Sequence, residues 1–201
     1  MCEASCGGVA ASSSSSERRM VEERFSIRVI VGRTFVESVP AFLAALREVV
    51  PSGVCIQAFD AKKVASEQHI RSAVQKALRA FRKKRNISQD LSMEMLLYAA
   101  GERQISRALE MGISEGEQKV VIAVVDPSNT LEEAEMNAIA ERVKRRMNIK
   151  EEELGDILSD NERKEAIIQF FGITKDELEA VGEEKIEKLV LERVALLDVK
   201  K

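Results

Sequence analysis

One histidine, one tyrosine, three cysteines and no tryptophan occur among the 201 residues, and each shortage removes a class of chemistry. A lone His69 beside Cys2, Cys6 and Cys55 cannot supply the paired Cys/His ligands of a structural zinc site. An odd cysteine count without regular spacing also argues against a disulfide framework, and Cys55, set in Val54-Cys55-Ile56, reads as a small core hydrophobe. The phosphate-cradling patterns G-x-x-x-x-G-K-[ST] and G-x-G-x-x-G are missing, as is the G-x-S-x-G nucleophile elbow. The clustered carboxylates Glu151 to Glu153 and Glu183-Glu184 lie in polar segments, where they stay solvated instead of acquiring perturbed acid-base behaviour. No catalytic residue, metal or cofactor is therefore expected. A hydrolase built on Cys55 and His69 would require the fold to bring those two side chains within hydrogen-bond reach. There is no apolar run of about eighteen residues and no secretory-signal order at the N-terminus, so a soluble cytoplasmic protein is expected.

What is present is a globular composition with lopsided charge. Apolar residues make up 45%, enough for the core of one ordinary domain. Residues 1 to 85 hold 15 Lys+Arg against 8 Asp+Glu, a net of +7, and the remainder holds 16 against 26, a net of −10. Such asymmetry hints at a localised anionic partner, while a pI of about 5.5 excludes a generally basic nucleic-acid coat.

Residues 1 to 22 carry Gly7-Gly8 and the run Ser12 to Ser16 with no apolar periodicity, and are expected to be a disordered tail, with Met20 as an alternative start. The domain should span residues 23 to 201. Strands are expected over 25–32, 54–59, 120–125 and 194–199, from β-branched and apolar runs bounded by turn residues. Helices are expected over 39–50 and 66–84, from Ser92, taken as an N-cap, to Gly101, and, marked by Ile105, Ala108 and Leu109, as a short helix ending at Gly112. Thr130-Leu131-Glu132-Glu133 and Thr174-Lys175-Asp176-Glu177 both fit the capping box that opens a helix. Leu154, Ile157 and Leu158, then Ala166, Ile167, Phe170 and Phe171, and finally Ile186, Leu189 and Val190 continue at helical spacing. The fold class is α/β (α+β): a single domain with a small mixed sheet of about four strands packed against several helices.

The most informative charges are Arg79, Arg82, Lys83, Lys84 and Arg85, five cations within seven residues at the end of a predicted helix. Such cations complement the helix dipole even without a ligand, and equally displace counterions from a phosphate backbone; sequence alone leaves both readings open.

Leu91 to Ile105, that is Leu-Ser-Met-Glu-Met-Leu-Leu-Tyr-Ala-Ala-Gly-Glu-Arg-Gln-Ile, followed by Ala108-Leu109 and Gly112-Ile113, resembles the central signature of the KEOPS accessory subunit, the family of the PRPK-binding protein. Phe59-Asp60 through His69-Ile70, the strand 120–125 and the close at Arg193 to Leu197 agree in order. The likeness spans roughly residues 25 to 201, with the loop from Arg82 to Asp90 and the acidic section 141–182 longer than the family pattern. The resemblance implies a non-catalytic subunit of the machine that makes threonylcarbamoyladenosine beside the tRNA anticodon. It would dock on the PRPK-like kinase/ATPase subunit, meet other KEOPS subunits indirectly, and hold the tRNA 3′ CCA end. Candidate RNA contacts are Arg79, Arg82, Lys83, Lys84, Arg85, Arg103 and Gln104. Candidate docking residues, as apolar positions that helices could leave outside the core, are Leu109, Met111, Ile186, Leu189 and Val190. The alternative is a protein-only kinase-binding module without RNA binding.

Overall fold

Period-two patterning in three segments builds the sheet. In the computed structural model, which describes residues 25–199, β1 (Ser26–Val36), β2 (Cys55–Asp60) and β3 (Gly116–Asp126) pair with the short β4 (Lys150–Glu151) in the order β2-β3-β1-β4. All three pairings are antiparallel, with Ser26 opposite Asp126, Cys55 opposite Val125 and Gly32 opposite Glu151, so the sheet is not mixed. Alternate residues face opposite layers. Val121, Ala123 and Val125 of β3, with Ile27 and Phe59, enter one core, while Val120, Ile122 and Val124, with Ile30, Ile56 and Ala58, enter the other. With strands on both edges and helices on both faces, β3 is buried from Val120 to Asp126, which explains its unbroken apolar run.

The first core is closed by α2 (Glu67–Arg82), α3 (Leu91–Ala100) and the end of α8 (Ile186–Leu196). In α2, Ile70, Val74, Ala77 and Leu78 form the apolar stripe, and the Ser66 hydroxyl caps the helix by accepting from the His69 N–H. Helix α3 is buried on nearly every side because α2, β2, α8 and the short α4 (Ile105–Leu109) enclose it. The second core is closed by α1 (Val39–Val49) through Phe42 and Leu46, and by α5 (Glu133–Arg146) through Met136, Ile139 and Val143. A satellite core holds α6 (Asn161–Phe170), α7 (Lys175–Val181) and the start of α8 through Ile167, Phe171, Ile186, Leu189 and Val190. The result is a single small mixed α/β domain. Among the described residues no helix is long and apolar enough to cross a membrane.

Several local expectations are corrected. Residues 194–199 are not a strand: α8 runs on to Leu196, and Val194 and Leu197 are buried at helical spacing from Val190. The fourth strand is the exposed, charged Lys150–Glu151, admitted because Gly32 has no Cβ to collide with the Lys150 carbonyl and the Ile149 side chain. Asp90, not Ser92, caps α3 by accepting from the Ser92 N–H, and the Ser92 hydroxyl donates to the Ile56 carbonyl. The capping pair of α5 lies two residues beyond the expected one, with the Glu132 N–H donating to Glu135, whereas Thr130 donates to Asp126. Burial pushes the Asp126 carboxyl up, but the N–H groups of Leu131, Ser128 and Thr130 outweigh it and hold the group below its ordinary range. The Thr174–Glu177 box forms as expected. Around 154–158 only the single 3-10 turn Ile157–Ser159 forms. The Ser-rich tail, with Cys2, Cys6 and Met20, lies outside the described residues.

His69 is fully buried: its Nδ1 accepts from the Ala65 N–H at 3.2 Å and its Nε2 donates to the Ala99 carbonyl at 2.8 Å, tying the start of α2 to the end of α3. Burial lowers its pKa from 6.5 to about 4, against the opposing bond to Ala99. The unfolded chain therefore takes up a proton that the folded chain refuses, so this stabilisation is whole above pH 6.5 and is lost as pH falls toward 4. Denaturant titrations at pH 7 and pH 5 should differ by about 2 kcal/mol from this group, and the slope over that window should flatten in His69→Gln; an equally steep slope in the variant would contradict the assignment.

Candidate functional site

The expected RNA contacts fall into two groups at opposite ends of one helical hairpin. Arg79 and Arg82 close α2, and Lys83, Lys84 and Arg85 begin the loop to α3. Arg103 and Gln104 follow the other end of α3, so its ten residues set the groups roughly 15 Å apart.

At the first end the backbone is fixed by hydrogen bonds. The Lys84 N–H donates to the Phe81 carbonyl at 3.0 Å and the Arg85 N–H to the Ala80 carbonyl at 2.8 Å, a Schellman closure with Lys84 at φ 54. The same closure ends α3, where Gly101 at φ 64 donates to Tyr98 and Glu102 donates to Leu97. Glycine accepts this left-handed conformation freely, whereas a lysine there costs on the order of 1 kcal/mol. Arg82, Lys83, Lys84 and Arg85 are all exposed, and Arg82 also donates to the Pro127 carbonyl at 3.0 Å. Arg79 is half-buried and close enough to oppose the upward shift of the Tyr98 hydroxyl. That shift comes first from burial, then from the 2.5 Å bond that Tyr98 donates to Asp198.

A carboxylate inside the core holds the loop. Glu94 of α3 is fully buried, and one of its oxygens accepts from the Ile87 N–H at 2.9 Å and the Ser88 N–H at 2.8 Å. Its signal in the sequence is that of a single acid in the otherwise apolar and aromatic run Met93 to Ala100, a pattern that no motif marks.

At the second end an open cleft of about 650 Å³ lies between the α3–α4 turn, the end of α6 and the last turns of α8, its walls including Arg103, Gln104, Arg107, Phe170, Glu177 and Arg193. Arg103 and Gln104 are exposed. Arg193 pairs with Glu177 at 2.6 Å and Arg107 with Glu110 at 3.0 Å. The Thr174 N–H and then Arg193 hold the Glu177 carboxyl below its ordinary range. Arginines beside an aromatic ring can contact phosphates and base faces together. Phe170, Arg107 and Arg193 are site residues that no local pattern identified, because the walls come from three distant segments.

Of the five residues expected to lie outside the core, only Leu109 does, at 53% exposure; Met111, Ile186 and Val190 are at 0% and Leu189 at 7%. The correction has a plain cause, since helical periodicity in apolar residues marks the core-facing stripe. Ile105, one turn before Leu109, is exposed at 46%, and Leu196 at 37%.

Nothing joins Cys55 to His69. Both imidazole nitrogens are engaged with backbone, and the Cys55 thiol is pushed up by burial and then by Asp90, so the base and the thiolate of the hydrolase alternative are both missing. Among the described residues no cluster of His, Cys, Asp and Glu could hold a metal ion.

Helices on both faces of an antiparallel sheet, with cations at both ends of one hairpin, define a mixed α/β domain whose notable features are surfaces. Residues 44–198 match the family model described as kinase binding protein CGI-121, and the chain belongs to that family, the KEOPS/PRPK-binding one to which its α3 signature pointed. No curated protein matches the chain.

Lys84→Gly should raise unfolding stability by about 1 kcal/mol by removing the left-handed strain, while the exposed charge of the loop falls by one. Denaturant midpoints measure this, and an unchanged or lowered midpoint would contradict the strain at Lys84.

Proposed function

We propose that the chain is a non-catalytic subunit of the KEOPS complex, which makes threonylcarbamoyladenosine beside the tRNA anticodon. In this role it docks on the PRPK-like kinase/ATPase subunit and recruits tRNA through its 3′ CCA end. Membership of the kinase-binding family supports the docking partner. The observation that carries the RNA part is the row Arg82 to Arg85, exposed and fixed by the helix closure and by Glu94. A lysine kept in a conformation that favours glycine fits a charge retained for binding rather than for stability.

Division of labour follows from the chemistry of each end. The cleft beside Arg103, Gln104 and Phe170 suits an unpaired RNA terminus, with guanidinium for phosphate and a ring for stacking. The cationic row suits the duplex phosphates that precede such a terminus. Kinase docking belongs to the exposed apolar face of α4, Ile105 and Leu109, with Leu196 on the wall of the adjoining cleft. Of the earlier docking candidates, Leu109 alone is retained.

The protein-only reading is favoured by one observation: Arg79, Arg82 and Arg103 already have partners within the chain. Reversing charge at Arg82, Lys83 and Lys84 separates the two. The triple Glu variant should lose on the order of tenfold or more in tRNA affinity at about 0.1 M salt, with the log-log salt slope reduced by roughly 2–3, and should keep its kinase affinity. Removing the CCA end from the tRNA should weaken binding to the unaltered chain. If the variant binds intact tRNA as the parent does, the row is a helix end and the protein-only module stands.

A further inference from the structure

The tetrapeptide Arg-x-Ile-Ser occurs twice, as Arg85-Asn86-Ile87-Ser88 in the cationic loop and as Arg103-Gln104-Ile105-Ser106 beside the cleft. We propose that Ser88 is a phosphorylation site for a basophilic serine kinase, and that the phosphate switches off the cationic row. Kinases of this class read substrates by charge pattern, with an acidic groove that takes cations before the acceptor. Before Ser88 stand Arg85, Lys84, Lys83 and Arg82 at three, four, five and six residues, all exposed.

The local structure suits an acceptor. Residues 83 to 90 form neither helix nor strand, and Ser88 is half-exposed. Its Oγ accepts from the Asp90 N–H at 3.1 Å, which leaves the hydroxyl hydrogen uncommitted by that bond. Laying the segment into a kinase groove requires releasing the Ile87 and Ser88 N–H bonds to Glu94 and the partial packing of Ile87, a local opening rather than unfolding. Oγ then attacks the γ-phosphorus of ATP. The new O–P bond forms as the bond to the β,γ-bridging oxygen breaks, ADP leaves with that electron pair, and the hydroxyl proton passes to the base of the kinase.

Ser106 supplies an internal comparison. It is more exposed than Ser88, but it lies within α4, and the residue before its Arg103 is Glu102 rather than a further cation. Both features oppose an acidic groove that binds extended chain.

The product carries about two negative charges at neutral pH. The phosphate sits on the residue whose backbone N–H is held by the buried Glu94 carboxylate, with Asp90 two residues on, so like charges push the loop off its anchor. Arg85 and its neighbours are within reach of the phosphate and are neutralised in cis. The loop then has both less net charge and less order to offer a polyanion. The consequence for tRNA rests on the RNA reading of the loop; the acceptor assignment and the loss of polyanion binding do not.

The test treats the full chain with the catalytic subunit of a cyclic-nucleotide-dependent, basophilic serine kinase and MgATP. Peptide mapping by mass spectrometry locates the phosphate, and heparin chromatography reads the cationic row. The expected result is phosphate on Ser88 at least about tenfold faster than on Ser106, a similar loss of rate in Arg85→Ala, and no incorporation at this site in Ser88→Ala. Ser88→Ala should elute from heparin with the untreated parent. The phosphorylated parent should elute at lower salt, with a salt slope reduced by about 2. Phosphate absent from Ser88, phosphate favouring Ser106, or phosphate on Ser88 with unchanged heparin elution would each overturn the proposal. Failure of the untreated chain to bind tRNA would instead sink the RNA reading and leave the heparin result standing.

Discussion

The helical half of the molecule hangs on one buried guanidinium. Arg163, 4% exposed, donates from Nε to the Val64 carbonyl, from Nη1 to Leu154 and Gly155, and from Nη2 to Val64 and Ala65, so that all five N–H donors meet backbone oxygens. Burial pushes its pKa down, and the charges of Asp160 and Asp156 push back. No other side chain has the donor count and planarity for this task, since lysine offers three donors from one point. Without it, the buried carbonyls of Val64 and Ala65 would be left unpaired, at about 1–3 kcal/mol each. The clip also reaches the cleft. Ala65, whose carbonyl Arg163 holds, donates its own N–H to His69, and His69 meets Phe171 edge-on at 5.6 Å between ring centres. A chain of contacts thus runs from the start of α6 through the start of α2 to the aromatic pair at the end of α6.

Sheet and inner helices were legible in the sequence because their signals are periodic and local. Partial alternation over 25–32 and the apolar run ending at Val125 point to β1 and β3, though β1 runs on to Val36, and the stripe Ile70, Val74, Ala77, Leu78 points to α2. Lys150–Glu151 was invisible, because a two-residue edge strand of exposed charge has no hydrophobic pattern and depends on the missing side chain at Gly32, 118 residues earlier (150 − 32) in the chain. Val194 to Val199 misled because β-branched composition is a weaker guide than the helical period that it happened to continue. The candidate site divided in the same way. Cations were legible as a cluster, while the cleft was not, since Arg103, Phe170 and Arg193 meet only through tertiary packing. Met111, Ile186, Leu189 and Val190 showed the limit of pattern reasoning about surfaces: the spacing that makes a residue easy to place on a helix face is also what buries it.

Seen as a whole, the domain uses its interior to aim its surface. Glu94 and the closure at Lys84 set the cationic loop, Gly101 ends α3 so that Arg103 and Gln104 follow at the cleft, and Arg163 fixes the opposite wall. The apolar face of α4 lies on the same turn of chain as the cleft rim. In the proposed function, one end of the hairpin would engage a protein and an RNA terminus as neighbours, and the other end would meet phosphates farther along the same strand. On that proposal, kinase-binding membership of the family and the cationic row are two aspects of one adaptor role.

The proposed role requires both ligands to be partners of the same chain at the same time. Sedimentation of the full chain mixed with its PRPK-like kinase subunit and an intact tRNA tests this most directly. The account predicts a ternary species in which the chain bridges the two at physiological salt. Kinase and tRNA displacing each other from the chain, or tRNA sedimenting alone, would contradict it.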